Sequence, residues 1–212
     1  MSKLLKLASI PILLVFLAIN IHSLYKSAIG VVLQFKIYLW FVVGFALYCI
    51  VRRFIKKNLD FLETFTHELI HTVIGLLFFH QIDKFNATSR NGEVIYHGGK
   101  RAGNIFILLA PYCLPIYPII FLLFRFAIAP EYIWLINIVT GITTAFHAFA
   151  FKRDIHFRQP DIQNAGVLFS LIFIWTFLSF FTSIILWSVQ SGLGGAFVHW
   201  WKNSVSLVKM VY

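Results

Sequence analysis

Residues 162–201 read IQNAGVLFSLIFIWTFLSFFTSIILWSVQSGLGGAFVHWW and contain no Asp, Glu, Lys or Arg in 40 consecutive positions. An apolar run of about 20 residues is long enough to cross the hydrocarbon core of a bilayer as a helix. This run is too long for one crossing, and three glycines within 192–195 interrupt it. We therefore expect a helix that ends near Val189, followed by an interfacial C-terminal segment over 191–212.

The composition of the whole chain indicates a membrane protein with several spans. Hydrophobic residues make up 59% and charged residues 12% of the 212 residues, whereas soluble domains carry about 25% charged residues. The 18 Lys and Arg outnumber the 8 Asp and Glu, and the basic residues flank the apolar runs, where lipid headgroups lie. We interpret this basic excess as a sign of boundaries with the lipid bilayer, and we expect no binding to nucleic acid.

The remaining apolar stretches complete the prediction of an all-α polytopic membrane protein with about six transmembrane helices. We divide the chain into two N-terminal transmembrane helices over 1–58, a membrane core over 59–190 and the C-terminal segment. The expected helices cover residues 7–25, 29–51, 60–81, 102–124, 132–151 and 162–189.

One segment, 82–101, is expected to form a small membrane-associated β-hairpin after the third helix. Asn91-Gly92 lies between the short runs 85–88 and 93–97, and Asn-Gly between two β-prone runs is the strongest local signal for a hairpin. The edges of a hairpin carry unpaired backbone groups that lipid cannot satisfy. We therefore expect the hairpin at the membrane surface or against the helix bundle. An ordinary extramembrane loop is the alternative.

The third expected helix carries Thr66-His67-Glu68-Leu69-Ile70-His71, which matches the motif H-E-x-x-H. Residues four positions apart lie on one face of a helix, so the imidazoles of His67 and His71 can reach one metal ion. Glu68 is then placed to hold and deprotonate a metal-bound water. A charged residue in an apolar membrane helix costs at least about 2.5 kcal/mol, which favours a functional role. Polar side chains that only link helices by hydrogen bonds are the alternative.

A catalytic Zn²⁺ ion usually has three protein ligands, so a third must come from a distant residue. Asp161 is the first candidate, because Pro160 marks a helix start and places Asp161 on the first turn of the last long helix. The alternative for Asp161 is a helix cap. His147 and His156 compete for the third position, and we expect Asp154 to be solvated.

Four polar residues are candidates for supporting roles around this site. Glu63 lies one turn before His67, so it either orients that imidazole or faces a polar cavity. His147, in the fifth expected helix, either supports a ligand or contacts substrate, or it bonds a backbone carbonyl in the bundle. Asn104 and Asn164 are candidates for hydrogen bonds with a substrate backbone.

The order of these features resembles a known family. His67-Glu68-Leu69-Ile70-His71 in a membrane helix, then a hairpin, then Asp161 at a late helix make the chain similar to the site-2 protease family of intramembrane zinc metalloproteases, in its minimal bacterial type. The resemblance covers about 59–177 and includes Ala102-Gly103-Asn104 and Ala110-Pro111 in the fourth helix. The family carries its distant Asp in a Leu-Asp-Gly context, and this chain has no glycine after Asp161.

The resemblance implies an enzyme that hydrolyses peptide bonds of membrane-embedded or membrane-proximal proteins or peptides. His67, His71 and Asp161 would hold Zn²⁺, and Glu68 would activate the zinc-bound water. An edge of the hairpin would receive an unwound substrate segment as an added strand. The resemblance further implies the inner (cytoplasmic) membrane of a bacterium, with the hairpin on the cytoplasmic side.

Two other classes of function compete with a protease. The alternative is a non-proteolytic membrane subunit with a protease-like fold, which acts through assembly with a membrane-protein partner. The long aromatic C-terminal run, in a chain with 24 Phe, would suit such a partner surface. A transporter of ions or small solutes would be expected to show paired repeats and broken helices, and neither is evident in the sequence.

Overall fold

The computed structural model of the chain describes residues 3–89, 91–97 and 104–211. These residues form an all-α membrane protein with one small antiparallel sheet, and two 3-10 turns, Arg125–Ala127 and Pro130–Tyr132, join the fourth helix to the fifth. The elements are α1 (Lys3–Leu33), α2 (Phe35–Leu77), β1 (Ile82–Ala87), β2 (Gly92–Tyr96), α3 (Ile105–Cys113), α4 (Ile116–Phe124), α5 (Ile133–Asp154), α6 (Pro160–Ala165) and α7 (Val167–Val211).

Several of these helices are long and apolar enough to cross a membrane, so the chain is an integral membrane protein. Among the described residues, four helices are long and apolar enough to cross on their own. The bent pair α3 and α4 is a fifth span if it is counted as one crossing. The expected number of six stays a prediction, because the second half of α2 is not among them. Within the described residues, the four are Leu4–Leu33, Phe35–Lys56, Pro130–Asp154 and Val167–Met210.

The first two breaks between helices differ from those expected. Helix α1 continues through 26–28 and ends only before Gln34, whose φ of −117° and ψ of 40° are not helical. Ser27 is buried in α1 and donates to the Leu24 carbonyl at 2.8 Å, so its hydroxyl does not require a break. The second and third expected helices form the single helix α2, with a kink at Ile55 (φ −118°, ψ 26°).

The fourth expected helix, 102–124, is two helices in the structure, although residues 102 and 103 lie outside the described part. Helices α3 and α4 meet at an angle of 72°. Pro115 lies at the break; it has no N–H to donate and disfavours helical geometry at Leu114. Leu114 accordingly adopts an extended conformation, with φ −93° and ψ 105°. A broken helix, which the sequence analysis did not anticipate, is therefore present.

The sequence indicated that Asp161 lies on the first turn of the last long helix. In the structure it lies instead on the short helix α6. The cause is Gly166, whose φ of 95° ends α6. A left-handed conformation of this kind favours glycine, which has no Cβ. The chain direction therefore changes between α6, which carries Asp161, and α7.

Helix α7 reverses its direction at Gly192, one of the glycines expected to interrupt it, where φ is 70°. The rings of Trp187 and His199 stack with their centroids 4.4 Å apart, although a straight helix would separate these residues by about 18 Å. Trp200 donates from its indole nitrogen to the Asn20 side chain of α1 at 2.9 Å. The segment after the reversal thus packs against α1 and the first half of α7.

The hairpin is present, with β1 and β2 antiparallel and a register from Ile82 opposite Tyr96 to Ala87 opposite Gly92. Gly92 is the first residue of β2, so the Asn91-Gly92 pair does not itself form the turn. Thr88 donates its backbone N–H to the Asn91 carbonyl at 2.8 Å and closes the connection. Residues 90 and 98–101 of the expected hairpin lie outside the described part.

The core that positions α6 combines residues of α3, α6 and α7. Its largest buried members are apolar or aromatic, and burial of such side chains is the main force that holds the three helices together. A separate cluster packs the hairpin residues Val94 and Tyr96 on Ile107 of α3. The core at α6 includes Ile105, Leu109, Tyr112, Ile162, Ala165, Phe169 and Ile174.

Candidate metal centre

His67 and His71 lie one turn apart on the second half of α2, as the H-E-x-x-H spacing predicted. Their ring centroids are 4.9 Å apart, and both side chains are about one-tenth exposed, at 11% and 10%. The hydroxyl of the neighbouring Thr66 is satisfied within the helix, since it donates to the Leu62 carbonyl at 2.7 Å. The local sequence alone therefore brings the two imidazoles to the same face.

Each imidazole is held by its Nδ1 atom, which leaves Nε2 free to bind a metal. Nδ1 of His71 lies 2.8 Å from the backbone carbonyl of Ile107. Nδ1 of His67 lies 3.1 Å from the carboxylate oxygen Oδ2 of Asp154. A carbonyl or an ionised carboxylate only accepts a hydrogen bond, so Nδ1 carries the proton in both neutral rings. The lone pair is then on Nε2, as a metal ligand requires.

Both Nε2 atoms point to the same carboxylate oxygen of Asp161. Oδ2 of Asp161 lies 3.4 Å from Nε2 of His71 and 3.8 Å from Nε2 of His67. Two ligands of a tetrahedral zinc site with bonds near 2.0–2.1 Å are separated by about 3.3 Å. Among the described residues, the ligand atoms of these three side chains lie within 4.8 Å of one another. Small side-chain movements would complete a three-ligand metal site.

Asp161 is held by the elements around it and is not a simple helix cap, since Gln159 occupies the N-cap position of α6. The hydroxyl of Tyr112, a fully buried residue of α3, donates to its Oδ2 at 3.4 Å. Burial favours the protonated form of Asp161, but hydrogen bonds from His67 and His71, which these rings donate through Nε2 only when they are protonated, outweigh it and hold the pKa of that carboxyl below its ordinary value. The carboxylate is therefore ionised, the form that binds a cation.

A cavity of about 610 Å³ lies next to these three residues, and we call it the metal-site cavity. Glu68, the acidic residue of the motif, also lines it and is 7% exposed. The hairpin covers Glu68 closely, because a Cβ atom on Gly92 would collide with the Glu68 carboxylate. Further polar lining comes from Asn91 of the hairpin and Gln159 before α6. The cavity thus offers space and polar contacts for water and a substrate segment at the candidate metal position.

Among the described residues, the two competing histidines do not join the cluster of His67, His71 and Asp161. His156 is exposed and lines the metal-site cavity without joining the three-residue cluster. His147 lies beside a cavity of about 10 Å³ behind His67. Its Nε2 atom has no hydrogen-bond partner among the described residues, so the expected bond to a backbone carbonyl is not seen there.

The two asparagines do not line the metal-site cavity within the described structure. Asn104 is the N-cap of α3, and its side-chain oxygen accepts the N–H of Phe106 at 2.9 Å. Asn164 is exposed on α6. The hairpin residues Asn86 and Asn91 lie at the cavity instead.

Glu63 and Asp154 both contact charged neighbours, and Glu63 also lines the small cavity behind His67. Glu63 is fully buried, but it pairs with Arg52 and, at 3.2 Å, with Arg153, and it does not hydrogen-bond His67. Asp154 is not solvated: its side chain is 13% exposed and contacts His67 and Arg153. The carboxylate that contacts Nδ1 of His67 comes from α5, because the last turn of α5 ends against α2.

The sequence analysis did not identify Asp154 or Tyr112 as parts of the site. The position of Asp154 could have indicated a role at the site, since it is an acidic residue at the end of an apolar helix and follows Arg153 directly. Tyr112, in the apolar helix α3, carried no comparable signal. No protein-family model, curated protein or solved structure matches the chain. The chemistry of the site therefore has to be inferred from its own geometry.

Proposed function

We propose that the chain is an intramembrane zinc metalloprotease of the site-2 protease type. The observation that carries this proposal is the approach of two Nε2 atoms, four residues apart on α2, to one carboxylate oxygen of Asp161. Two imidazoles and one carboxylate are a known ligand set of catalytic zinc, in which the fourth position is left to water. The adjoining cavity gives that position room.

The residues present fit a zinc ion in their chemistry as well as in their spacing. Both imidazoles donate through Nδ1 to fixed acceptors, which orients their Nε2 lone pairs. The Asp161 carboxylate supplies a negative charge that offsets part of the charge of a divalent cation in this poorly solvated place. When bound, Zn²⁺ would lower the pKa of a coordinated water and polarise the scissile carbonyl.

Glu68 is the residue that we assign to proton transfer. It follows His67 directly in the motif and faces the metal-site cavity. In the proposed reaction, Glu68 takes a proton from the attacking water as the water oxygen bonds to the carbonyl carbon. The carbon–nitrogen bond then breaks, and Glu68 delivers that proton to the leaving amine. The second proton of the water also passes to the amine, so the products are a carboxylate and a protonated amine, and Glu68 returns to its initial ionised state.

The cavity favours an extended, partly polar substrate segment. It lies between α2, the hairpin and the connection from α5 to α6, and its lining includes Asn86, Asn91 and Gln159. An amide in a helix is already hydrogen-bonded, so a transmembrane substrate has to unwind before it is cleaved. The hairpin provides strand edges and polar side chains with which the unwound backbone can pair.

The membrane setting is part of the proposal. We place the second half of α2 inside the membrane as an additional span, which restores the count of six when the bent pair is one crossing. Two of its carboxylates, those of Asp60 and Glu63, pair with arginines, as charged side chains at membrane depth usually do. The resemblance to the minimal bacterial type leads us to propose the bacterial inner membrane, with the hairpin on the cytoplasmic side.

The test uses the purified full chain in liposomes loaded with zinc. A mixture of single-span membrane peptides is incorporated, and cleavage sites are identified by mass spectrometry for the wild type and Glu68→Gln. The proposal expects cleavage by the wild type alone while both proteins hold zinc. Zinc binding without cleavage of any peptide, together with dependence of a membrane complex on this chain, would support the alternative of a non-proteolytic subunit.

A further inference from the structure

Asp154 makes a contact that a mere boundary residue of a helix would not make. It is the last residue of α5, yet its Oδ2 atom lies 3.1 Å from Nδ1 of His67, 87 positions earlier in the chain. We propose that Asp154 is a positioning residue of the metal centre, which orients the His67 imidazole. The inference rests on the proposed zinc-peptidase function and deepens it.

The two imidazoles of the motif are held in different ways, and this difference makes the role of Asp154 visible. His71 donates from Nδ1 to a backbone carbonyl, that of Ile107, which a side-chain substitution cannot remove. His67 depends on a carboxylate for the same purpose. A carboxylate that accepts from a metal-binding imidazole fixes its orientation and raises its basicity, so its loss typically weakens metal binding by about 10–100-fold.

Asp154 is itself fixed at both of its oxygens. Oδ2 accepts from His67, while Oδ1 accepts from Nε of Arg153 at 2.7 Å. Arg153 cannot move freely, because its Nη1 lies 3.2 Å from Glu63 and donates to the Asp60 carbonyl at 2.8 Å. A carboxylate whose two oxygens have different partners cannot rotate without breaking one of them. The orientation is therefore transmitted to the imidazole.

The ion pairs continue beyond Arg153 to the first half of α2. Glu63, which is fully buried, also pairs with Arg52, and Arg52 and Glu63 lie on opposite sides of the kink at Ile55. Charges therefore alternate from Arg52 through Glu63 and Arg153 to Asp154. This row joins both halves of α2 to the end of α5 and fixes the distance between Asp154 and His67.

Asp154 is not placed to be a metal ligand. Its carboxylate faces Nδ1 of His67, whereas Asp161 faces Nε2 of the same ring, and the two nitrogens point to different sides. Among the described residues, the metal cluster contains Asp161 and not Asp154. The competing interpretation is that Asp154 only stabilises the fold through its ion pair with Arg153.

The experiment measures zinc affinity of the full chain in detergent by competition with a chromophoric chelator. Asp154→Asn keeps the shape and removes the charge. Asp60→Asn is the matched control, since its carboxylate lies 3.8 Å from Arg52 and is not part of the row from Arg52 to Asp154. We expect Asp154→Asn to weaken zinc binding by about 10–100-fold and Asp60→Asn to leave it unchanged. Circular dichroism verifies that each variant keeps its helices.

A second variant guards against a folding defect. Asp154→Glu keeps the charge that pairs with Arg153 but moves the carboxylate by one methylene, so we expect a folded protein with weaker zinc binding. With Co²⁺ in place of zinc, we also expect its visible absorption bands to shift, a change that a purely structural role would not produce. Zinc affinity and cobalt spectra equal to those of the wild type in both Asp154 variants would overturn the inference.

The outcomes separate this inference from the proposed function. Wild-type zinc binding that is insensitive to Asp154 overturns the positioning role and leaves the peptidase proposal standing. Zinc binding that depends on Asp154, in a protein that cleaves no membrane peptide, supports the positioning role and contradicts the peptidase. A wild type that binds no zinc at all overturns both.

Discussion

Nε2 of His71 lies 3.4 Å from Oδ2 of Asp161, although the two residues are 90 positions apart in the chain. The contact requires the hairpin, the broken helix pair α3 and α4, and all of α5 to return the chain to the same place. Nε2 of His67 approaches the same oxygen at 3.8 Å. The zinc proposal depends on this convergence.

Asp161→Ala is expected to remove the third ligand. Because two imidazoles remain, the protein should keep a weak zinc site. Loss of a residue that only supports a ligand weakens metal binding by up to about 100-fold, so loss of the ligand itself should lower zinc affinity by at least that factor. Chelator competition on the purified protein measures this change. Asp83→Asn, on the exposed hairpin, is the control, and equal zinc affinities of Asp161→Ala and the wild type would exclude Asp161 as a ligand.

Glu68→Gln separates metal binding from catalysis. Glutamine keeps the shape of the side chain but cannot accept the proton, so we expect the rate of peptide cleavage to fall by about 10²–10⁴-fold. Zinc content, measured by elemental analysis, should stay at the wild-type ratio. Cleavage at the wild-type rate by this variant would assign proton transfer to another group.

Gly92→Ala tests whether the hairpin sets the position of Glu68. The added Cβ would collide with the Glu68 carboxylate, so either the strand or the carboxylate must move. A displacement of about 1 Å near a reacting group can lower a rate by about 100-fold, and zinc content should not change. Gly194→Ala, where an added Cβ meets nothing within 4 Å, is the matched control. Equal cleavage rates in both variants would contradict a close fit of the hairpin over Glu68.

Glu63→Gln should destabilise the fold. Glu63 is fully buried between Arg52 and Arg153, and breaking a buried ion pair typically lowers the free energy of unfolding by about 3–5 kcal/mol. Titration of detergent-solubilised protein with a denaturing detergent, followed by circular dichroism, measures this loss. Asp60→Asn, whose carboxylate is partly exposed at 28%, should cost less than about 1 kcal/mol. A similar loss in both variants would argue against the special role of Glu63.

Metal removal should lower stability as well as activity. A ligand that binds only the folded chain stabilises it by about 2.7 kcal/mol when its free concentration is 100 times the Kd. The apo protein should therefore unfold more easily than the zinc-loaded protein, and cleavage should return when zinc is added back. In Asp161→Ala, added zinc should change stability much less. Identical unfolding curves of apo and zinc-loaded wild type would contradict a zinc site in the folded chain.

Local helix geometry and the small number of acidic residues were sufficient to predict which three side chains converge at the candidate site. The spacing of His67 and His71 determines their common helical face before any tertiary contact forms. Asp161 could be chosen because few acidic residues follow the motif and it opens a helix after Pro160. The role of Asp154 was not predictable in this way, since its contact with His67 depends on how the last turn of α5 lies against α2.

The helix breaks show a similar limit. Pro11 and Pro111 lie inside α1 and α3 without ending them, whereas Pro115 lies at the break before α4. A proline ends a helix only where the freed backbone groups find other partners, which depends on neighbouring elements. Gly192 was identified in advance as a point of interruption, but the return of the chain along α1 was not.

X-ray absorption at the zinc K-edge of the purified wild type measures the central claim most directly. The predicted spectrum shows zinc bound by two imidazole nitrogens at about 2.0–2.1 Å and by oxygen ligands at about 2.0–2.2 Å. One oxygen contribution should be lost or altered in Asp161→Ala. A wild type that purifies without zinc after zinc loading, or a first shell without imidazole, would contradict the account.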